Sequence, residues 1–290
     1  MCDLFSVHTS KSRKILLPLL SRLELNSFHA IGMKKKILDL AVTANISLND
    51  SYVLLKARSS EPLPPCKPGQ FAQLRVDGSQ NTFLRRPISI NWVDKANNEV
   101  WFLIQKVGEG TQKLATHAVG STLNVILPLG NSFSIPTTLD KRPLLVGGGV
   151  GVAPLLLLGK KLLEYDIKPI FLLGARSKQD LLELDLFNEV GTVFCTTEDG
   201  SFGEKGYVTQ HSVLKTPNFS QIYTCGPKPM MVAVAAYAKK NEITCEVSLE
   251  NLMACGIGAC LCCVEKTTEG HKCACTEGPV FNINELQWQI

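Results

Sequence analysis

The sequence lacks the features typical of membrane-spanning, exported and nucleic-acid-binding proteins. No uninterrupted apolar run reaches the roughly eighteen residues that a transmembrane helix needs. The apolar segment near the N-terminus is short, Pro18 interrupts it, and no small-residue cleavage site follows, so no signal peptide is predicted. A formal net charge of only +4 does not favour a nucleic-acid partner. We therefore expect a cytoplasmic globular protein.

The length and composition bound the number of domains. A chain of 290 residues with 45% apolar content can form two compact domains and a small appendage. Residues 1–32 contain a basic, serine-containing stretch that matches no targeting signal, and we expect them to be a dispensable extension of unknown role. The functional chain is predicted to begin near Met33.

Residues 33–138 have the pattern of an all-β domain. Short β-prone runs alternate with turn residues, and no convincing amphipathic helix interrupts them. This pattern predicts an antiparallel six-stranded barrel. The six predicted strands are residues 37–46, 52–57, 71–76, 86–92, 100–107 and 123–127.

Residues 139–243 change to a strand–helix alternation, which predicts a doubly wound α/β domain with a parallel sheet. Ligands of such sheets bind at the carboxyl ends of the strands. Two turns lie at such ends: the glycine-rich turn after Val146 and a Cys-Gly-Pro turn after Thr224. The predicted nucleotide-binding residues are Gly147, Gly148, Gly149, Gly151, Cys225 and Gly226.

The glycine-rich turn departs from the usual dinucleotide fingerprint. Pro154 stands where the third glycine would be, although the helix that follows can still present amide groups to a pyrophosphate. Taken alone, such a turn can also be an ordinary sharp connection between a strand and a helix. A second turn at the same edge of the sheet favours the nucleotide site.

Residues 244–290 hold seven of the eleven cysteines in the chain, six of them from Cys255 onwards. Cys255, Cys260 and Cys263 have the C-x4-C-x2-C spacing that holds a plant-type [2Fe–2S] cluster, and Cys275 can supply the fourth thiolate. The small residues between Cys255 and Cys260 suit a loop whose amides turn towards the cluster. We therefore predict a small C-terminal cluster domain.

Clustered thiolates can also hold structural zinc, which is the main alternative for this segment. The x4 gap fits two zinc knuckles poorly, and disulfides are not expected in a reducing cytosol. Cys262 and Cys273 remain as spare thiols close to the predicted ligands.

Seven motifs together resemble the ferredoxin reductase superfamily and, more closely, the electron-transfer subunits of NAD-linked (class 1B) dihydroorotate dehydrogenases. The resemblance runs from about Lys36 to Phe281 and has no counterpart for residues 1–32. The motifs are residues 84–90, 107–111, 147–155, 197–201, 223–227, 253–260 and 278–281.

The resemblance implies that the barrel binds FAD. A guanidinium such as that of Arg86 can pair with a diphosphate, and a strand backbone can hydrogen-bond the edge of the flavin. A pair of arginines alone would otherwise suggest a solvated strand end. The residues that the resemblance assigns to FAD are Arg86, Pro87, Ile88, Ser89, Ile104, Gln105, Lys106, Gly110 and Thr111.

The choice of nicotinamide cofactor is less determined. Arg176 and Lys178 follow the second strand of the α/β domain, where an acidic residue would favour NAD and a basic one could accept a 2′-phosphate. The resemblance implies NAD, whereas the residues alone leave NADP open. Cys225 is given no acid–base role.

The resemblance implies a subunit that passes electrons from the FMN of a separate dihydroorotate dehydrogenase catalytic subunit, through the [2Fe–2S] cluster and FAD, to diffusible NAD⁺. It implies an assembly with two copies of each subunit, acting in pyrimidine (UMP) biosynthesis. The chain itself shows no second flavin motif with a substrate base. One alternative is a small subunit of a ferredoxin-dependent NADP reductase or sulfide dehydrogenase with the same cofactors. Another is a zinc-stabilised nucleotide-sensing module without redox activity.

Overall fold

The fold is taken from a computed structural model, which describes residues 35–136, 142–216 and 218–290. The predicted extension at residues 1–32 and the predicted domain boundary between residues 138 and 139 lie outside the described residues. No helix in the described ranges combines the length and apolar character needed to cross a bilayer.

The N-terminal part is an antiparallel sheet of seven strands that curls on itself. Its strand order is β4-β3-β7-β1-β2-β6-β5, and a short helix, α1 (Glu109–Leu114), connects β6 and β7. The strands are β1 (Lys36–Ser47), β2 (Tyr52–Arg58), β3 (Phe71–Leu74), β4 (Arg86–Ser89), β5 (Trp92–Asp94), β6 (Glu99–Gln105) and β7 (Thr122–Leu129).

The antiparallel barrel is confirmed, but the number of strands differs from the six predicted. The predicted run 86–92 divides into β4 and β5, which form the two opposite edges of the sheet. The amide of Ile90 donates to the carbonyl of Gln70, whereas the amide of Asn91 donates to that of Trp101. Two consecutive residues thus bond towards opposite sides of the sheet, which curls so that its two edge strands come from what the prediction had as one continuous strand.

The alternation of side chains explains the barrel core. In β1, Leu38, Leu40 and Val42 are buried while the residues between them are exposed. This period of two directs one face of the strand inward, as expected for a half-buried strand.

The second sheet also has seven strands, in the order β11-β10-β9-β8-β12-β13-β16. All neighbours are parallel except β13 and β16, which are antiparallel. The strands are β8 (Pro143–Gly148), β9 (Ile170–Ala175), β10 (Thr192–Thr197), β11 (Glu204–Lys205), β12 (Gln221–Cys225), β13 (Thr244–Ser248) and β16 (Val280–Asn282), and the helices are α2 (Ala153–Leu163), α3 (Leu184–Val190) and α4 (Lys228–Lys240).

Helices cover both faces of this sheet, which confirms the doubly wound prediction. Leu155 of α2 and Phe187 of α3 pack in one buried cluster, and Val234 of α4 packs in another on the opposite face. Neighbouring residues of β8 separate in the same way, with Leu144 in the second cluster and Leu145 in the first. Burial on both faces is why these strands are almost uniformly apolar.

The C-terminal segment is anchored in the second sheet. Residues 244–290 were predicted as a cluster domain, and β13 and β16 from this segment also extend the nucleotide sheet. The cysteine-bearing chain between them also contains a small hairpin of β14 (Val264–Thr267) and β15 (Gly270–Cys273). The cluster segment is therefore a loop rooted in the α/β layer.

Candidate cofactor sites

The predicted flavin strand and the predicted phosphate turn meet through Arg86 and Gly110. Arg86 begins β4, and a Cβ added at Gly110 would lie 2.6 Å from the Arg86 Nε. Arg86 also donates from Nη1 to the carbonyl oxygen of Leu84 at 2.9 Å. A larger residue here would push the guanidinium away from the turn, so glycine permits the close contact.

Thr111 is occupied within its own turn. Its hydroxyl accepts from the amides of Val107 and Gly108 at 3.1 and 3.2 Å and donates to the carbonyl of Gly108. The hydroxyl thus fixes the entry to α1, which holds Gly110 against Arg86. Its assignment to FAD remains a proposal.

The three residues at the end of β6 point to different surroundings. Ile104 is completely buried in the barrel core, so only its backbone is available to a cofactor. Gln105 lines a large cleft, whereas Lys106 lies in a shallow depression beside α1. Pro87, Ile88 and Ser89 of β4 are partly exposed on an edge strand.

The two predicted nucleotide turns are in direct contact. The register of β8 and β12 places Cys225 opposite Gly147. A Cβ added at Gly151 would lie 2.4 Å from the Gly226 Cα and 2.5 Å from the Cys225 carbonyl oxygen. The close approach requires glycine at residue 151 and holds the two turns side by side at one edge of the sheet.

A cleft of about 630 Å³ opens at this edge. The barrel contributes Tyr52 and Gln105, and the α/β layer contributes Gly148 and Gly149 from the predicted turn. The sequence prediction missed several of its lining residues, because they come from separate parts of the chain that only the fold brings together. These include Tyr52, Glu198, Tyr207, Met230 and Glu250.

Burial raises the pKa of two titratable groups near this cleft. Burial raises the pKa of the Glu250 carboxyl, and it raises the pKa of the Cys225 thiol well above its usual range. Cys225 is 1% exposed, which agrees with a packing role and gives no support for acid–base chemistry.

The four predicted cluster ligands lie in the loop between β13 and β16. Cys263 and Cys275 are buried, Cys255 is half-buried and Cys260 is exposed. Across residues 35–136, 142–216 and 218–290, no three His, Cys, Asp or Glu side chains are arranged as a site for a single metal ion. The spare Cys262 is exposed and Cys273 is half-buried.

Backbone amides point at the cysteine sulfurs. The Ile257 amide donates to Cys255 Sγ at 3.5 Å, and the Gly258 amide donates to Cys275 Sγ at 3.1 Å. The Ile257 amide is the main cause that lowers the pKa of Cys255 to about 6. Amides directed at sulfur stabilise the negative charge of thiolates bound to iron, so the loop suits an iron–sulfur cluster.

Comparison with protein families identifies two segments. Residues 250–287 match the iron–sulfur cluster binding domain of dihydroorotate dehydrogenase B, and residues 145–236 match the oxidoreductase NAD-binding domain. The first match covers all four predicted cluster ligands and favours iron–sulfur over zinc. The predicted iron–sulfur and NAD-binding domains of an oxidoreductase are confirmed.

Solved structures share the fold. One chain from a structure of NADH-dependent reduced ferredoxin-NADP oxidoreductase superimposes with a TM-score of 0.78 at 28% identity, covering 86% of this chain and 90% of that one. A ferredoxin reductase of carbazole 1,9a-dioxygenase gives 0.61 at 23% identity, over 72% and 66% of the two chains. The ferredoxin-reductase-like fold agrees with the predicted flavin-binding barrel.

Curated relatives agree with each other in name. The chain is 36% identical over 259 residues to the dihydroorotate dehydrogenase B (NAD(+)) electron transfer subunit of Fusobacterium nucleatum, covering 87% of this chain and 99% of that protein. It is 39% identical over 225 residues to the same subunit of Shouchella clausii, covering 76% and 86%. The chain therefore belongs to the family of dihydroorotate dehydrogenase B (NAD(+)) electron transfer subunits.

Proposed function

We propose that this chain passes electrons from the FMN of a dihydroorotate dehydrogenase catalytic subunit, through a [2Fe–2S] cluster and FAD, to NAD⁺ in pyrimidine (UMP) biosynthesis. The observation that carries the proposal is the 36% identity that extends over 99% of a relative named as such an electron transfer subunit. The match covers 87% of this chain, which is long enough to include the barrel, the nucleotide layer and the cysteine loop together, and this supports the proposal.

The barrel residues would hold FAD at the edge formed by β4. Arg86 would pair with the diphosphate, with Gly110 leaving room for its guanidinium, and the β4 backbone from Pro87 to Ser89 would hydrogen-bond the flavin edge. When bound, FAD would supply the exchange between hydride chemistry and single-electron transfer. The protein's task is to align the two cofactors and to exclude water.

The cleft at the carboxyl edge of the second sheet would hold NAD. Gly149 and Gly151 let the backbone approach a pyrophosphate closely, and Tyr52 reaches the same turn from the barrel. Arg176 lies in the cleft, but Glu198 from the neighbouring strand lies there as well. A carboxylate can accept hydrogen bonds from ribose hydroxyls and repels a 2′-phosphate, which supports NAD over NADP.

The cluster would be held by Cys255, Cys260, Cys263 and Cys275 in the loop between β13 and β16. Exposure of Cys260 and of the neighbouring Leu261, which is 64% exposed, leaves one side of this loop open to a second protein. We propose that the partner is an FMN-containing catalytic subunit, in a cytoplasmic assembly with two copies of each subunit.

The test is anaerobic purification of this chain with the catalytic subunit co-expressed, followed by flavin, iron and sulfide analysis and an assay of dihydroorotate-dependent NAD⁺ reduction. We expect FAD and two irons on this chain, FMN on the partner, and turnover only in the complex. Turnover by this chain alone, or a preparation with zinc in place of iron, would contradict the proposal.

A second candidate function keeps the cofactors and changes the partner. The TM-score of 0.78 to the chain from the NADH-dependent reduced ferredoxin-NADP oxidoreductase structure favours it. In that case the chain would be the small subunit of a ferredoxin-dependent NADP reductase or sulfide dehydrogenase. A co-purifying large flavoprotein with further iron–sulfur clusters, and no dihydroorotate turnover, would support this alternative.

A further inference from the structure

The side chain of Gln73 is buried without a hydrogen-bond partner. Gln73 lies on β3 and is 0% exposed, and neither its Nε2 nor its Oε1 bonds to another atom of the described chain. An unpaired buried polar atom costs about 1–3 kcal/mol, so a native protein rarely leaves two on one side chain. Such a group needs a partner from outside the polypeptide.

The position of Gln73 links the two predicted cofactor sites. Its backbone lies opposite Pro87 in the pairing of β3 with β4, the predicted flavin strand. Its carboxamide lies against Gly256, where an added Cβ would be 2.6 Å from the Gln73 Nε2. Gly256 directly follows the predicted cluster ligand Cys255. One residue therefore contacts the cluster loop with its side chain and the flavin strand with its backbone.

Two backbone amides of the cluster loop donate to cysteine sulfurs and not to the Gln73 side chain. The Ile257 amide bonds Cys255 Sγ and the Gly258 amide bonds Cys275 Sγ. The Gln73 amide group adds a further donor beside Gly256 of this loop, where the predicted acceptors are anionic sulfurs. Thiolates and sulfides of iron–sulfur clusters accept such bonds, and these bonds raise the reduction potential by stabilising the more negative reduced state.

We propose that the Gln73 side-chain amide donates a hydrogen bond to the Cys255 thiolate or to a cluster sulfur when the cluster is bound. Gln73 is thus a positioning residue that adjusts the potential of the cluster and ties the cysteine loop to the strand beside FAD. This inference rests on the proposed function only in requiring a cluster in this loop. It does not depend on the identity of the partner.

The test compares Gln73→Met with Gln70→Met in the full chain loaded with its cofactors. Gln70 is also buried, at 1% exposure, but its Nε2 donates to the Gly130 carbonyl at 2.8 Å and its Oε1 accepts from the Lys67 amide at 2.8 Å. Methionine keeps the length of glutamine and removes its polar atoms. Gln73→Glu provides a second variant, which keeps the shape and replaces the donor.

Substitution of Gln73 should change the cluster potential but not the melting temperature, and substitution of Gln70 should do the reverse. Gln73→Met should keep two irons, lower the cluster's midpoint potential in an EPR-monitored redox titration and shift the g-values of the reduced cluster. Its cofactor-free chain should melt no lower than the unmodified chain, because no bond within the protein is lost. Gln70→Met should lower the melting temperature and leave the potential unchanged. Gln73→Glu should lower the potential as Gln73→Met does.

Several results would overturn the inference. Unchanged potential and g-values in Gln73→Met would show that the amide does not reach the cluster, and equal shifts in Gln70→Met would show a general packing effect. If Gln73→Met loses its cluster, retained FAD and normal melting of the cofactor-free chain support the inference, whereas joint loss of FAD and stability contradicts it. Absence of dihydroorotate turnover in the unmodified complex would overturn the proposed partner without affecting this comparison.

Discussion

The barrel meets the cysteine loop and the α/β layer through two buried polar contacts of different kinds. At the cysteine loop, Gln73 faces Gly256 with both polar atoms unpaired. At the α/β layer, Asn91 Nδ2 donates to Glu183 Oε1 at 2.9 Å, which leaves Asn91 Oδ1 and Glu183 Oε2 unpaired. At the first contact, the described polypeptide supplies no hydrogen-bond partner for the Gln73 side chain. At the second contact, one added proton would pair both remaining oxygens.

We infer from this difference that the Gln73 contact serves a ligand, whereas the Asn91–Glu183 contact stabilises the fold. A protonated Glu183 carboxyl could donate to Asn91 and complete both groups at once. The same junction is reinforced by Lys160 of α2, whose Nζ lies 3.7 Å from the centre of the Trp92 ring. The α/β junction should therefore persist in the cofactor-free chain, whereas the cluster junction should be complete only in the loaded one.

The largest expected effect is on the cluster junction alone. Cys275→Ser should abolish the [2Fe–2S] cluster and leave FAD bound, because serine cannot replace a buried thiolate ligand and the flavin strand is untouched. Iron, sulfide and flavin analysis checks this outcome. Cys262→Ser, which changes an exposed spare thiol, is the control and should keep both cofactors. A normal cluster in Cys275→Ser would move the fourth ligand to Cys273 or Cys262.

The next substitution should remove FAD and leave the cluster in place. Arg86→Ala should lose FAD and keep two irons, because the guanidinium beside Gly110 is the predicted partner of the diphosphate. Flavin fluorescence after gel filtration measures the retained FAD. Arg75→Ala removes an exposed arginine paired with Asp77 and should keep FAD. Equal flavin loss from both variants would contradict the role of Arg86.

Gly256→Ala tests the contact between the cysteine loop and the barrel. The added Cβ would enter the Gln73 side chain at a residue with φ of +69°, so the cofactor-free chain should lose about 3 kcal/mol in the free energy of unfolding. Urea denaturation measures this loss. Gly120→Ala is the matched control, since Gly120 has φ of +85° and open space around it, and should cost about 1 kcal/mol. If both substitutions lower the free energy of unfolding equally, the Gln73 side chain can move aside without loss of stability.

The smallest effect tests the proton at the α/β junction. Burial, partly offset by the bond from Asn91 and the charge of Lys56, raises the pKa of Glu183 to about 7 from an ordinary 4.5. Between these two values the folded chain holds a proton that the unfolded chain has released, so the stability contributed by this carboxyl is fully present below pH 4.5 and is lost as pH rises through 7.

Glu183→Gln should remove this part of the pH dependence. Glutamine can pair with Asn91 without a proton, so the variant should be more stable than the unmodified chain at pH 8 by on the order of 2 kcal/mol. Urea denaturation from pH 5 to 8 measures the difference. Glu189→Gln, on the exposed side of the same helix, should follow the unmodified chain. If Glu183→Gln is less stable than the unmodified chain at pH 8, the hypothesis that folding requires a protonated Glu183 is wrong.

The sequence predicted the features that depend on local spacing. The C-x4-C-x2-C pattern, the glycine turn after β8 and the change from strand runs to strand–helix alternation each arise within a few residues, and the observed strands and turns follow them. The family resemblance supplied the cofactor set. The contact between Arg86 and Gly110 could be anticipated only because both belong to motifs of that family.

The remaining features depend on contacts between distant residues. Gln73 is an ordinary polar residue in a short strand, and nothing near it in the sequence indicates that Gly256 covers it. The division of the predicted strand 86–92 follows from the bonds of Ile90 and Asn91 to opposite sides of the sheet, which requires the sheet to curl. Likewise, β16 joins the nucleotide sheet by pairing with β13, a register that no local pattern encodes.

The pairing of β13 with β16 has a consequence for how the protein matures. Val247 lies opposite Phe281, and both are buried, so the two ends of the cysteine loop are fixed by the α/β layer. Neither anchoring strand carries a predicted cluster ligand, so these two strands are expected to pair in a chain prepared without iron. Insertion of the cluster should then require no rearrangement of β13 or β16.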